Sequence, residues 1–236
     1  MAVDNKRLGV LGGMGPKATS VFVDQVIEHT VADCDQDHID MVVLNHATLP
    51  DRTTVILEGR GERFLQAVER DIRLLEHAGV DHIAIPCNTS HYFYDDMQRM
   101  TAIPIINMVE ETLEETARRF GSGARIGVLA TYGTLRSGIY RTACERRGMR
   151  YREPDEAMQR RVMDIIYNDI KRGRLNVSGF EDIVGRLVDE EGCDAVIIAC
   201  TELSLIPLGE RTAARSVDAM NVLVRRSIAL SGKVYD

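Results

Sequence analysis

Two cysteines stand in matching company. Cys87 ends one apolar run and precedes Asn88-Thr89-Ser90, and Cys200 ends another and precedes Thr201-Glu202. Their surroundings repeat. Gly79-Val-Asp81-His-Ile-Ala-Ile-Pro-Cys87 and Gly192-Cys-Asp194-Ala-Val-Ile-Ile-Ala-Cys200 share Gly, Asp and Cys at an offset of 113. An earlier pair, Arg7-Leu-Gly-Val-Leu-Gly-Gly-Met-Gly15 and Arg125-Ile-Gly-Val-Leu-Ala-Thr-Tyr-Gly133, agrees at five of nine positions at an offset of 118. Two matched pairs in the same order point to a duplicated half. A thiol at the carboxyl end of a strand, ahead of a helix N-terminus, feels the positive end of the helix dipole, which favours the thiolate. Taken singly, either cysteine could be a small buried hydrophobe. As an equivalent pair they suit one reaction. One thiolate removes a proton from a stereocentre, and the other thiol returns a proton to the opposite face. Such two-base racemisation or epimerisation needs no prosthetic group where placed donors and excluded water stabilise the carbanion. Repulsion between neighbouring thiolates drives their titrations apart. Cys34, Cys144 and Cys193 lack this setting and read as structural.

The elements that must position these thiols alternate. Apolar runs at 7–11, 40–44, 82–86, 104–107, 126–130 and 195–199 read as strands covered on both faces. Helical periodicity lies between them. Met158, Val162, Ile165, Ile166 and Ile170 make one stripe that stops before Gly173, and another helix spans about 63–77 and stops before Gly79. Strand–helix alternation implies an α/β fold with mainly parallel sheets. The segment Phe120-Gly-Ser-Gly-Ala124 reads as the linker between halves. The expected division is 1–118, with 216–236 returning to it, and 119–215.

Ligands of parallel sheets bind beyond the carboxyl ends of the strands. The turns Gly12-Gly-Met-Gly-Pro16 and Thr131-Tyr-Gly-Thr134 fall there. Glycine allows close backbone approach to a small anion. A dinucleotide fingerprint fits poorly, because the next strand ends at Leu44-Asn45 with no acidic residue for a ribose. Carboxylate binding is favoured over NAD, and a turn used only for packing is the alternative. Arg52 offers a planar fork to a carboxylate, although a loop arginine is commonly a solvated charge. Lys171 closes an amphipathic helix, where a lysine commonly just complements the dipole. His91 could orient the Cys87 thiolate. With no third ligand nearby, a metal site is rejected.

Composition bounds the rest. The chain has 236 residues, a net charge of −7, 44% apolar and 28% charged residues. These are the values of an ordinary globular protein without the basic face of a nucleic-acid binder. The apolar runs are too short for a membrane span. No leader-like run opens the sequence, and five cysteines without a C-x-x-C pair suggest free thiols in a reducing, cytoplasmic setting.

Together Gly9-Val-Leu-Gly-Gly-Met-Gly-Pro-Lys-Ala-Thr19, Pro86-Cys-Asn-Thr-Ser-His91 and Cys200-Thr-Glu-Leu203 resemble the aspartate/glutamate racemase family in its aspartate-racemase branch. The resemblance spans essentially the whole chain. It implies two Rossmann-like three-layer lobes related by a pseudo-twofold, a cleft between them, and catalysis without pyridoxal phosphate or any other cofactor. It implies Cys87 and Cys200 as the acid/base pair. It places Met14 and Gly15 along the cleft and Asn88, Thr89 and Thr201 against the substrate's carboxylate and amine, and Thr131 and Glu202 join this substrate-binding set. Arg52 stands where similar proteins hold the substrate's carboxylate, and Lys171 matches the lysine of a Tyr-x-x-x-Lys-x-Gly stretch, here Tyr167 to Gly173. A homodimer is the assembly implied. Ala47 and Ala199 stand where similar sequences often carry Pro and Gly, and they bear on which substrate is taken. The substrate expected is aspartate, with glutamate second. The alternatives are a related cysteine-dependent isomerase or decarboxylase acting on hydantoin-like or maleate-like substrates, and a non-catalytic small-molecule binding module.

Overall fold

The computed structural model describes residues 6–174 and 178–236. Residues 1–5, which open the stretch read as lacking a leader, lie outside them. The chain forms two compact units, residues 1–108 with 223–236 and residues 109–222. The divisions fall at these positions, not at 118 and 216. The reasons are local. Helix α5, Met108–Phe120, places Val109 and Leu113 in the core of the second unit. The segment Ser216–Asp218 pairs into that unit's sheet. Only from Leu223 does the chain count with the first unit. There Ser231 Oγ meets His82 Nε2 at 3.2 Å, and Val31 N–H donates to the Val234 carbonyl at 3.0 Å.

The first unit holds a parallel sheet in the order β2-β1-β3, with β1 Leu8–Gly12, β2 Met41–Asn45 and β3 His82–Ala84. The central strand β1 is buried throughout, whereas the edge strand β2 is not, and Val43 is 39% exposed. Covering on both faces therefore fails at this edge. The strand expected at 104–107 reduces to a parallel bridge of Ile105 with Ile83, since Pro104 has no N–H for a ladder. Helix α1, Pro16–Glu28, follows β1. Helices α2, Arg52–Leu57, and α3, Glu62–His77, follow β2, and α4, Tyr94–Arg99, follows β3. Phe64, Val68, Ile72 and Leu75 of α3 pack with Leu11, Ile83, Ile85 and Cys87. Each such side chain fully buried stabilises by about 1.5–3 kcal/mol.

The second unit repeats this plan with one more strand, in the order β5-β4-β6-β7: β4 Arg125–Leu129, β5 Arg150–Arg152, β6 Ala195–Ile198 and β7 Ser216–Asp218. Its layers follow from the two-residue period of the strands. Ile126, Val128, Ile197 and Ala199 enter one apolar cluster with α5, α6 (Tyr132–Ser137) and α7 (Ile139–Arg146). Leu129, Val196, Ile198 and Cys200 enter another with α8 (Glu156–Asp164) and α9 (Phe180–Gly185). Two cores on opposite faces of one sheet make three layers. Helix α10, Glu210–Ala214, precedes β7, and α11, Ala219–Leu230, crosses the division at Leu223. The continuous helix expected through Ile170 is interrupted. After Asp164 it widens into a π-helical turn, Ile165–Asp169, and then tightens into a 3₁₀ turn, Ile170–Arg172, ending at Gly173 with φ +83°.

The duplicated residues have the same structural work in each half. Arg7 N–H donates to Asp81 at 2.6 Å, and its guanidinium donates to the Ala78 carbonyl at 2.8 Å. Arg125 N–H donates to Asp194 at 2.7 Å, and its guanidinium to the Glu191 carbonyl at 2.9 Å. Gly79 and Gly192, with φ +68° and +65°, supply the left-handed turn each corner needs. A Cβ on Gly9 would meet Val80 at 2.9 Å, and one on Gly127 would meet Leu187 and Val196 first, with Cys193 Sγ, in the place of Val80, in ordinary packing contact at 3.5 Å.

Candidate active site

The candidate residues of the first unit stand at the carboxyl ends of β1, β2 and β3. The glycine turn after β1 is shaped by neighbours within the protein. A Cβ on Gly12 would sit 2.2 Å from Thr19 Cγ2, and one on Gly13 would sit 2.3 Å from the His46 carbonyl carbon, with φ already at +95°. Gly13 N–H donates to Thr19 Oγ1 at 2.9 Å. Packing therefore explains these two glycines without a ligand. Met14 is buried in the cluster that holds Cys87, and Gly15, half-buried, precedes α1.

Arg52 opens α2 behind Asp51, whose carboxylate accepts the Thr54 N–H at 2.8 Å as an N-cap. It is not a solvated charge, being only 8% exposed. One terminal nitrogen donates to the Leu49 and Pro50 carbonyls at 3.3 and 2.8 Å. Nε is buried with no partner, and among the described residues no carboxylate forms an ion pair with this guanidinium. A buried guanidinium left in this way is expensive unless an anion joins it.

After β3 the chain reaches Cys87, buried beside Asn88, Thr89, Ser90 and His91, all buried. The Cys87 carbonyl accepts Ser90 Oγ–H at 2.8 Å and faces His91 Nδ1 at 2.8 Å. His91 Nε2 lies 3.1 Å from the Met108 nitrogen, whose N–H it accepts, and 3.3 Å from the Ile106 carbonyl; the Met108 contact, with Nδ1 facing the Cys87 carbonyl, favours the neutral Nδ1–H tautomer. Burial pushes its pKa down, in keeping with a neutral ring. His91 therefore braces the backbone of Cys87 rather than its thiol.

The candidate residues of the second unit stand at the carboxyl ends of β4 and β6. Thr131 caps α6 and accepts the Thr134 N–H at 3.2 Å. Cys200 and Thr201 are buried, and Cys200 Sγ donates to Glu202 Oε2 at 3.1 Å. Glu202 is itself 6% exposed. Its Oε1 lies 3.8 Å from Lys171 Nζ, which also sits 4.3 Å from the centroid of the Tyr167 ring. Lys171 thus does more than complement a helix end. Burial pushes the Cys200 thiol well above its ordinary range, the Glu202 carboxylate adds to this, and Lys171 opposes it.

At Cys200 the expected lowering of the thiol by a following helix N-terminus is corrected. Only a 3₁₀ turn, Leu203–Leu205, directly follows Cys200, whereas the 3₁₀ turn Thr89–Phe93 after Cys87 runs on into α4. A turn as short as Leu203–Leu205 carries little macrodipole. At Cys200 desolvation and a carboxylate dominate.

Two features escaped the spacing arguments. Asp71 interrupts the apolar stripe of α3 and meets His46 Nδ1 at 2.8 Å, pinning the loop after β2. Gln159 of α8 is 3% exposed. Its Nε2 donates to the Ala130 carbonyl at 2.9 Å, and its Oε1 has no partner. The signal for both was a polar residue on a buried stripe.

Residues 11–226 match the Asp/Glu/Hydantoin racemase family. The chain belongs to that family. It is therefore an enzyme of the isomerase class. A broad specificity amino-acid racemase of Bacillus subtilis is 30% identical over 207 residues, covering 84% of this chain and 86% of that protein. The aspartate racemase of Picrophilus torridus superposes with a TM-score of 0.80 at 25% identity, over 98% of this chain and 96% of that one. A glutamate racemase of Francisella tularensis superposes with a TM-score of 0.62 at 17% identity, over 96% and 81%. No helix among the described residues is long and apolar enough to cross a membrane.

Proposed function

We propose that this protein racemises an acidic amino acid, aspartate first and glutamate second, by a two-base mechanism on Cys87 and Cys200. One observation carries the reading: a buried thiol follows the equivalent strand, β3 or β6, in each half of a duplicated fold. The scheme requires the two thiols to reach opposite faces of one α-carbon. The Cys87 sulfur takes the α-proton as a thiolate, and the electron pair stays on the carbanion. Cys200 then gives its thiol proton to the other face and is left as the thiolate. The reverse direction exchanges these roles. The Cys200–Glu202 contact prepares Cys200 as the proton donor, because a thiolate there would lie against a carboxylate. Arg52 is the seat for a substrate carboxylate. Met14, Gly15, Asn88, Thr89, Thr131 and Thr201 frame the substrate, and Lys171 balances Glu202.

The test is proton NMR in D₂O with L-aspartate and then L-glutamate. The wild type is expected to lose the α-proton signal and to form the D-enantiomer. Cys87→Ser and Cys200→Ser should each lose nearly all racemisation, each keeping exchange of one enantiomer at most. Full racemisation by either variant would overturn the two-base assignment.

A further inference from the structure

Among the buried polar atoms without a hydrogen-bond partner are one on Arg52 in the first half and one on Gln159 in the second, at corresponding places of the repeat. Arg52 lies in the first helix after β2, packed through Val55 on the face of the first sheet that holds Cys87. Gln159 lies in the first helix after β5, packed through Met158 and Val162 on the face of the second sheet that holds Cys200. Each is anchored on backbone carbonyls beside a strand end: Arg52 on Leu49 and Pro50, Gln159 on Ala130. The atom left over is a donor in the first half, Arg52 Nε, and an acceptor in the second, Gln159 Oε1.

The orientation of the Gln159 amide is fixed by chemistry. The Ala130 carbonyl can only accept, so the nitrogen must face it and the oxygen must face away. Ala130 immediately precedes Thr131, and Leu129 is bonded to Ala199, the residue before Cys200. Helix α8 is held over this turn twice more, by Tyr132 N–H on Met163 Sδ at 3.3 Å and by the Tyr132 hydroxyl on Glu156 at 3.0 Å. A buried amide oxygen without a donor forfeits a hydrogen bond that a ligand can restore. Glu202, bonded to the Cys200 thiol, brings negative charge to the same group of residues.

We propose that Gln159 Oε1 accepts a hydrogen bond from the substrate's α-ammonium. The second half then reads the amine, as Arg52 of the first half reads a carboxylate. This rests on the amino-acid racemase reading and adds its amine-recognising residue. The substrate class becomes α-amino acids with a free ammonium, and N-acylated or deaminated analogues are poor ligands.

The experiment compares Gln159→Met with wild type for two ligands, aspartate as substrate and succinate as an inhibitor without an amine. A hydrogen bond to a charged group implies a rise in KM for aspartate of about tenfold to hundredfold. The Ki of succinate should stay within about threefold, since it makes no such bond. Unchanged succinate binding also shows that the site is folded. Should Gln159→Met fail to fold, Gln159→Asn, whose amide falls one methylene short, carries the same comparison. Equal rises for both ligands would mean that Gln159 only supports the Ala130 turn, and no change in either would mean that water alone fills the acceptor. Both results overturn the proposal while leaving the racemase reading intact. A wild type that exchanges no amino acid overturns the racemase reading and this proposal with it.

Discussion

Replacing Arg52 separates substrate recognition from structural support. Its guanidinium is buried and charged, and its described partners are two carbonyls, so the folded protein holds a cation that lacks a counter-charge. A hydrogen bond to a charged group contributes about 1.5–3 kcal/mol. If a substrate carboxylate completes the site, Arg52→Met should lose about 3 kcal/mol of binding, which is roughly 150-fold in kcat/KM. The carboxylate is not the reacting group and is held equally in ground and transition states. Most of the loss should therefore fall on KM. Arg52→Lys keeps the charge but not the planar fork, and about half the energy, roughly tenfold in KM, should go. The assay is α-proton exchange in D₂O across substrate concentrations, paired with urea unfolding of the same samples. Either variant also frees the Leu49 and Pro50 carbonyls, so a stability loss of about 1–2 kcal/mol is expected in both. The reasoning fails if that stability loss appears while KM for the acidic amino acid stays within threefold of wild type. Arg52 would then be a strut for the loop after β2, and the carboxylate would be held elsewhere.

Two further outcomes follow from titrating groups. Glu202→Gln removes a negative charge that, after burial, holds the Cys200 thiol up, so the alkaline limb of the kcat/KM profile should move to lower pH; a limb that stays in place would remove Glu202 from the control of that thiol. His91 is buried neutral with its pKa pushed below 6.5, so its contribution to stability is complete above that value and is lost as pH falls, because the unfolded chain binds a proton that the buried ring refuses. Urea unfolding between pH 7 and 5 should therefore show a stability loss that His91→Gln reduces, and equal slopes in the two proteins would refute the neutral brace.

The parts that were legible in the sequence are those set by burial on both faces. Strands β1, β4 and β6 are apolar runs that lie where such runs must lie, inside a sheet, and β3, last in its sheet, is buried and bridged by Ile105. The short strands β5 and β7 escaped notice. Arg150-Tyr-Arg152 exposes its arginines at the sheet edge, and Ser216-Val-Asp218 is too short to carry a period. The π-helical turn before Lys171 leaves no mark on an apolar stripe that fits a continuous helix equally well. At the site, the cysteines were legible because they recur. The burial of Arg52 was not, because the fold of the Leu49–Pro50 loop, rather than local composition, takes the guanidinium out of water. Gln159 left only the mark of a polar residue on a buried stripe, because its meaning lies in one hydrogen bond to a carbonyl 29 residues away.

The duplication divides each half into an end that is kept and an end that has diverged. At the amino ends of β1 and β4 the corner is the same in both copies: an arginine, a left-handed glycine and an aspartate joined by the same bonds. Nothing there touches the cysteines, so the recurrence of these residues reflects a shared folding requirement. Beyond the carboxyl ends the shared residues are the cysteine and one turn glycine, Gly15 or Gly133. The carbonyl of Cys87 is braced by Ser90 and His91, while the thiol of Cys200 is bonded to Glu202 and is linked through it to Lys171. A symmetric pair of thiols would have no reason to differ in protonation at rest. The second half breaks that symmetry with a carboxylate, and the first half has only neutral polar residues, Asn88, Thr89 and Ser90, in the corresponding stretch. The repeat therefore supplies two similar scaffolds, and the residues just beyond the cysteines place the two thiols in different polar surroundings.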